Sequence, residues 1–149
     1  MTEKRNFADW LSKFRSSIAN YGYYIDFNKV YRNVNDIKVE LNILNSLIGS
    51  KTIEDEFKNI LAKYPETLKC IPILLAVRAN EIYAIDGDGE FTYDFKKANH
   101  STNEYVVFMR KTGLFDLLQN HIISNLVDYV TGVETGLDSN GRKNRGGHL

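Results

Sequence analysis

Asp86 and the run Asp94-Phe95-Lys96 have the residue types of metal-dependent phosphodiester chemistry. In that chemistry two carboxylates hold Mg2+ and a lysine sits near the attacking water. Their placement argues against it here. Residues 81–85 and 90–95 read as two short strands joined by Asp86-Gly87-Asp88-Gly89, and Asp-Gly pairs supply the positive φ of a hairpin turn. Phe91, Tyr93 and Phe95 alternate with Thr92 and Asp94, the period of a half-buried strand. Asp86 belongs to the turn, while Asp94 and Lys96 lie toward the far end of the second strand. At about 3.4 Å per strand residue they are too far apart to share one metal. The expectation is a hairpin with a polar outer face, and no catalytic or metal-binding residue in this chain.

Other chemistries fail on spacing. Asp86, Asp88 and Glu90 alternate as calcium ligands do, but a calcium loop starting at Asp86 needs glycine at its sixth position and glutamate at its twelfth, where this chain has Phe91 and Lys97. His100, His121 and His148 have no zinc-ligand spacing with each other or with Cys70. His121 reads as a satisfied or half-exposed helical histidine. No phosphate-binding loop, dinucleotide fingerprint or nucleophile elbow is present.

The other candidate is Asn140-Gly141-Arg142-Lys143-Asn144-Arg145. Residues 140–148 carry three fixed positive charges and no negative one. Arginine and lysine neutralise phosphates, arginine pairs with guanine and asparagine with adenine. The nearby glycines permit close backbone approach. Asn140, Arg142, Lys143, Asn144 and Arg145 are therefore the candidate DNA-binding residues. A solvated basic tail has the same composition and stands as the alternative.

Helical periodicity dominates the rest of the chain. Phe7, Trp10, Leu11, Phe14 and Ile18 recur at helical steps after Asn6, with Gly22 near the end. Asp26 caps a helix carrying Phe27, Val30, Tyr31 and Val34; the next bears Ile37, Leu41, Leu44, Leu47 and Ile48 and ends at Gly49. Asn42 and Asn45 fall on its polar face or bond a neighbouring loop. Thr52 and Asp55 approach a capping box for a helix with Ile53, Phe57, Ile60, Leu61 and Tyr64, stopped by Pro65. Leu68, Ile71, Leu74 and Leu75 mark a buried helix that Pro72 either kinks or restarts. Ser101 and Glu104 make a capping box ahead of Tyr105, Phe108 and Met109, and Gly113 ends that helix. A last helix carries Phe115, Leu118, Ile122, Leu126, Tyr129 and Val130 and closes at Gly132.

The fold class is therefore mainly α: a domain of about six to seven helices with one small β-hairpin, over residues 1–132. Residues 133–149 form a glycine-rich basic segment. Trp10, Phe14, Leu41, Leu44, Phe57, Leu61, Leu75, Phe115, Leu118 and Leu126 are expected in one core, with the hairpin on its surface. A length of 149 residues suits one domain, and 43% hydrophobic with 26% charged residues is globular composition. Nineteen basic residues balance nineteen acidic ones, which argues against a chain-wide nucleic-acid or membrane field but leaves room for a local patch. The single cysteine forms no internal disulfide. No apolar run follows a basic start, so no leader is expected, and the expected location is the cytoplasm.

Three stretches near the C-terminal end carry a resemblance. They are Leu114-Phe115-Asp116-Leu117-Leu118-Gln119-Asn120-His121, Leu126-Val127-Asp128-Tyr129-Val130-Thr131-Gly132-Val133-Glu134 and Asn140-Gly141-Arg142-Lys143-Asn144-Arg145. With Val39-Glu40-Leu41-Asn42-Ile43-Leu44-Asn45-Ser46-Leu47-Ile48-Gly49 and Tyr64-Pro65-Glu66, they resemble the DpnII/MboI family of type II restriction endonucleases over residues 6–145. The resemblance implies Mg2+-dependent cleavage of unmethylated double-stranded DNA at GATC. A palindromic target has two-fold symmetry, which a homodimer of the intact enzyme matches. Such enzymes run roughly twice this length, as two domains require, and their nuclease core is expected after the Arg-Lys-Asn-Arg segment. The resemblance thus implies an amino-terminal portion that supports DNA recognition or assembly and is inactive as a nuclease alone. The competing reading is a non-enzymatic helical protein-interaction module with an incidental basic tail; a small nuclease built on the hairpin is the weakest.

Overall fold

The computed structural model describes residues 9–10, 25–87, 89–120 and 123–146, of which 86 and 140–146 are described as backbone. The described residues are mainly helical, with one antiparallel hairpin. Most of the expected first helix, including Phe7, Leu11, Phe14 and Ile18, lies outside them, as do Asp88, His121, Ile122 and His148. Asp9 and Trp10 are helical, and Trp10 is 47% exposed, so it is not the core residue its spacing suggested.

The chain divides into two compact units: Met1–Lys38 with Val127–Leu149, and Val39–Leu126. In the first, α1 spans Phe27–Asn35. Asp26 Oδ1 accepts the Lys29 N–H at 3.0 Å, the expected cap. Val30 and Val34, four residues apart on one face, are buried. The last helix, α7 (Leu126–Gly146), supplies most of its length to this unit and is treated below.

In the second unit, α2 (Lys38–Leu44) runs into a 3-10 turn, Asn45–Leu47. Gly49 follows at φ 73°, a left-handed conformation that glycine adopts without steric cost. Helix α3 (Ile53–Lys63) starts after Thr52, whose side chain makes no capping bond. The expected box is not formed, and Glu54, Asp55 and Glu56 in the first turn complement the helix dipole instead. The α-helix ends before Pro65, which opens a 3-10 segment, Pro65–Cys70. Pro72 then sits in the first turn of α4 (Ile71–Leu74), so it starts a short helix rather than kinking a long one. Cys70 is buried, and burial pushes its thiol up to about 12, far from nucleophile chemistry.

Helix α5 (Thr102–Lys111) carries the expected box: Ser101 Oγ accepts the Glu104 N–H and Glu104 Oε1 accepts the Ser101 N–H. Gly113, at φ 84°, turns the chain into α6 (Leu114–Gln119). The single helix expected over residues 115–130 is in fact two, broken between Gln119 and Leu126. Asn45 Oδ1 accepts the Leu126 N–H at 2.8 Å, so Asn45 bonds the neighbouring loop end. Leu41, Leu44, Phe57, Phe115, Leu118 and Leu126 are buried as expected, while Leu61 and Leu75 are half-buried.

Strands β1 (Glu81–Asp86) and β2 (Gly89–Asp94) pair from Glu81↔Asp94 to Asp86↔Gly89. The hairpin is not merely superficial. Tyr93 and Phe95 are buried against Tyr105 and Phe108 of α5, with ring centroids 4.9–5.7 Å apart, while Tyr83 and Ile85 stay exposed.

Candidate nucleic-acid interface

Among the hairpin carboxylates Asp94 has structural work. Asp86 sits opposite Gly89 at the tip and Asp94 opposite Glu81 at the other end, so the strand register separates them. Asp94 Oδ1 accepts the Lys96 and Lys97 N–H groups, each at 2.8 Å. Those bonds, Lys97 first, hold its carboxyl below the usual range. Its Lys96 partner contributes a backbone amide to a turn. Among the described residues no group of three or more His, Cys, Asp or Glu could hold a metal ion, and this donor set does not fit Mg2+.

The basic segment is placed differently from expectation. Asn140, Arg142, Lys143, Asn144 and Arg145 all lie on α7, which runs to Gly146 without a break at Gly132. The helix persists despite Gly132, Gly136, Gly141 and Gly146, each costing roughly 1 kcal/mol relative to alanine. Tertiary burial offsets that cost. Thr131, Glu134, Thr135 and Asp138 are buried at three- and four-residue steps, continuing from Val130. Asp138 Oδ2 accepts the Asp26 N–H at 3.0 Å, tying this face to the start of α1. The Thr131 hydroxyl donates to the Val127 carbonyl and that of Thr135 to the Thr131 carbonyl, so both buried hydroxyls are satisfied.

Helical register divides the five candidates. At 3.6 residues per turn, positions 142 and 145 fall in line with Thr131, Thr135 and Asp138. Positions 140 and 143 fall in line with Gly136, and 144 lies further round the side away from Thr131. The cluster is therefore one cationic helix end rather than one face. Cations at a helix C-terminus also stabilise the carbonyl end of the dipole. That end of a helix presents carbonyls rather than free N–H groups. A methyl added at Gly136 would meet nothing within 4 Å, and its φ is helical. Gly136→Ala is expected to raise stability by about 0.4–1 kcal/mol in urea denaturation; destabilisation would contradict a continuous helix there.

The extension beyond Gly132 was hidden because its buried positions are threonine, glutamate and aspartate. A search for apolar period passes over them, although their three- and four-residue spacing is itself helical.

The chain matches known proteins along nearly its whole length. The model of the DpnII restriction endonuclease family matches residues 6–149. The chain is 54% identical over 148 residues to the type II restriction enzyme DpnII of Streptococcus pneumoniae, covering 99% of this chain and 51% of that protein. It is 42% identical to the type II restriction enzyme MjaIII of Methanocaldococcus jannaschii, over 97% of this chain and 51% of that one. Identity to the type II restriction enzyme MboI of Moraxella bovis is 37%, again over 97% and 51%. The chain thus spans about half the length of the curated relatives it matches. No solved structure matches it. No helix among the described residues is long and apolar enough to cross a membrane. With the family model covering all but the first five residues, the chain belongs to the DpnII restriction endonuclease family.

Proposed function

We propose that this chain is the amino-terminal DNA-recognition and assembly portion of a type II restriction endonuclease that cleaves unmethylated double-stranded DNA at GATC in the cytoplasm. The observation that carries the reading is the cationic end of α7 in a chain 54% identical to the restriction enzyme DpnII. In this reading Asn140, Arg142, Lys143, Asn144 and Arg145 contact DNA, and residues 133–149 lead toward a nuclease core outside this sequence. Mg2+ belongs to that core, where it would activate water and stabilise the leaving oxygen. A homodimer of the intact enzyme matches the two-fold symmetry of the site.

The test is a gel-shift titration of the intact enzyme against GATC and scrambled duplexes, with Arg142→Ala and Arg145→Ala made separately. A phosphate contact weakens all duplexes alike and reduces the salt slope by about one. A base contact costs about 1–3 kcal/mol on GATC and relaxes preference over the scrambled site. If neither substitution alters affinity, slope or preference, the cationic end is not a DNA contact. With Mg2+, the 149-residue chain is expected to leave unmethylated GATC plasmid uncut. Cleavage abolished by Asp94→Ala would instead place a nuclease on the hairpin.

A further inference from the structure

One histidine bridges the hairpin and α5 beside the aromatic packing. His100 Nδ1 lies 3.0 Å from Glu104 Oε2 on α5, and its Nε2 lies 2.8 Å from the Thr92 carbonyl oxygen on β2. Both partners accept hydrogen bonds and neither donates: a carbonyl has no proton to give, and the Glu104 carboxyl is held down to about 2, first by the Ser101 backbone N–H and then by His100. A neutral imidazole has one N–H and one lone pair. It satisfies one of these acceptors and turns a lone pair toward the other. Only the doubly protonated ring donates to both.

We propose that His100 is a proton-operated latch, fastening the hairpin to α5 when charged and loosening it when neutral. The joint holds other contacts as well: the Tyr105 hydroxyl of α5 donates to the Asp94 carbonyl at the end of β2. Tyr93 of β2 packs its ring 4.2 Å from the His100 ring, and Tyr105 of α5 meets it edge-on at 6.0 Å. Glu104, Tyr93 and Tyr105 are the titratable groups against His100, and burial raises the Tyr105 hydroxyl above its ordinary value. Asn99 Nδ2 also donates to the Thr92 carbonyl, at 2.7 Å, so the joint has a tie that does not titrate. Apolar packing is incomplete: a groove of about 480 Å3, lined by Ala84, Ile85, Tyr93, Val107 and Phe108 among others, stays open between hairpin and helix.

The sign is fixed by the charged form being the bonded one. Burial opposes that charge, but the bonds to Glu104 and Thr92 and the Glu104 charge outweigh it and raise the His100 pKa above its ordinary value. The latch is fully closed below about 6.5, the unfolded value, and opens as pH rises through the higher folded value. The Glu104 side of the latch holds to well below that range, because the Ser101 N–H keeps its carboxyl down whether or not His100 is bonded to it.

The experiment is amide hydrogen exchange of the β1 and β2 backbone, as protection factors corrected for intrinsic rates, at pH 5.5 and pH 8.5. The wild-type chain is expected to lose about fivefold to tenfold in hairpin protection at the higher pH, the scale of one charge-assisted bond with a half-exposed partner. His100→Gln should show pH-independent protection at the lower level. Nitrogen-15 NMR of the wild-type ring supplies a readout needing no variant: both ring nitrogens should be protonated at pH 5.5. Equal protection at the two pH values, a pH response that survives His100→Gln, or a neutral ring at pH 5.5 would overturn the proposal.

Discussion

Truncating Phe57 to alanine is expected to lower stability by about 3–5 kcal/mol. Phe57 has no exposed surface, and its ring meets Phe115 of α6 edge to face at 5.5 Å. The substitution removes the transfer free energy of a full aromatic ring and leaves a cavity that close-packed neighbours fill only in part. The edge-to-face pair adds about 0.5–1.5 kcal/mol beyond burial. Urea unfolding followed by far-ultraviolet circular dichroism measures the effect. A change within about 0.5 kcal/mol, the range of surface substitutions, would place Phe57 outside the core and shift the register of α3.

The second large effect is polar. Asp138→Ala is expected to cost about 1–3 kcal/mol, the penalty for leaving a bonded group without its partner away from water. The group is the Asp26 backbone N–H, which the Asp138 carboxylate accepts 112 residues away in sequence. Asp138 is 3% exposed, so solvent substitutes poorly for the lost oxygen. Asp138→Asn keeps an acceptor of similar shape and should recover part of the loss. Exchange of the Asp26 amide, compared between the two variants, shows whether the loss arises at this contact. Unchanged exchange in Asp138→Ala would mean that the bond contributes nothing there.

The parts of the fold legible in the sequence are those where one local signal suffices. The Ser101–Glu104 box, the Asp26 cap and the Asp-Gly hairpin all stand where residue chemistry puts them. Apolar spacing also located most of the second unit's core, including Leu41, Leu44, Phe57 and Leu118. Trp10 shows the limit, because period identifies a face without saying what covers it. Leu61 and Leu75 are half-buried for the same reason. Residues 133–146 show the opposite failure, in which a buried face made of Thr135, Glu134 and Asp138 reads as a polar tail. The basic candidates were visible as composition, but their division around a helix required knowing that the backbone is helical there. His100 was passed over as lacking ligand spacing. Its partners include a backbone carbonyl eight residues away, which side-chain motifs do not encode.

The division of the chain also has a consequence during synthesis. One unit is a continuous stretch, Val39–Leu126, whereas the other joins the beginning of the chain to Val127–Leu149. As residues leave the ribosome in order, at about 5–20 per second, the continuous stretch is complete while α1 still lacks the helix that supplies Asp138. Helices as short as α1 are marginal alone, and closing so long a loop is entropically slow. Within this sequence α1 is therefore among the last elements to settle. A nascent chain halted before Asp138 emerges would hold a folded Val39–Leu126 and an unsettled α1, exposed to proteases and chaperones for the whole interval.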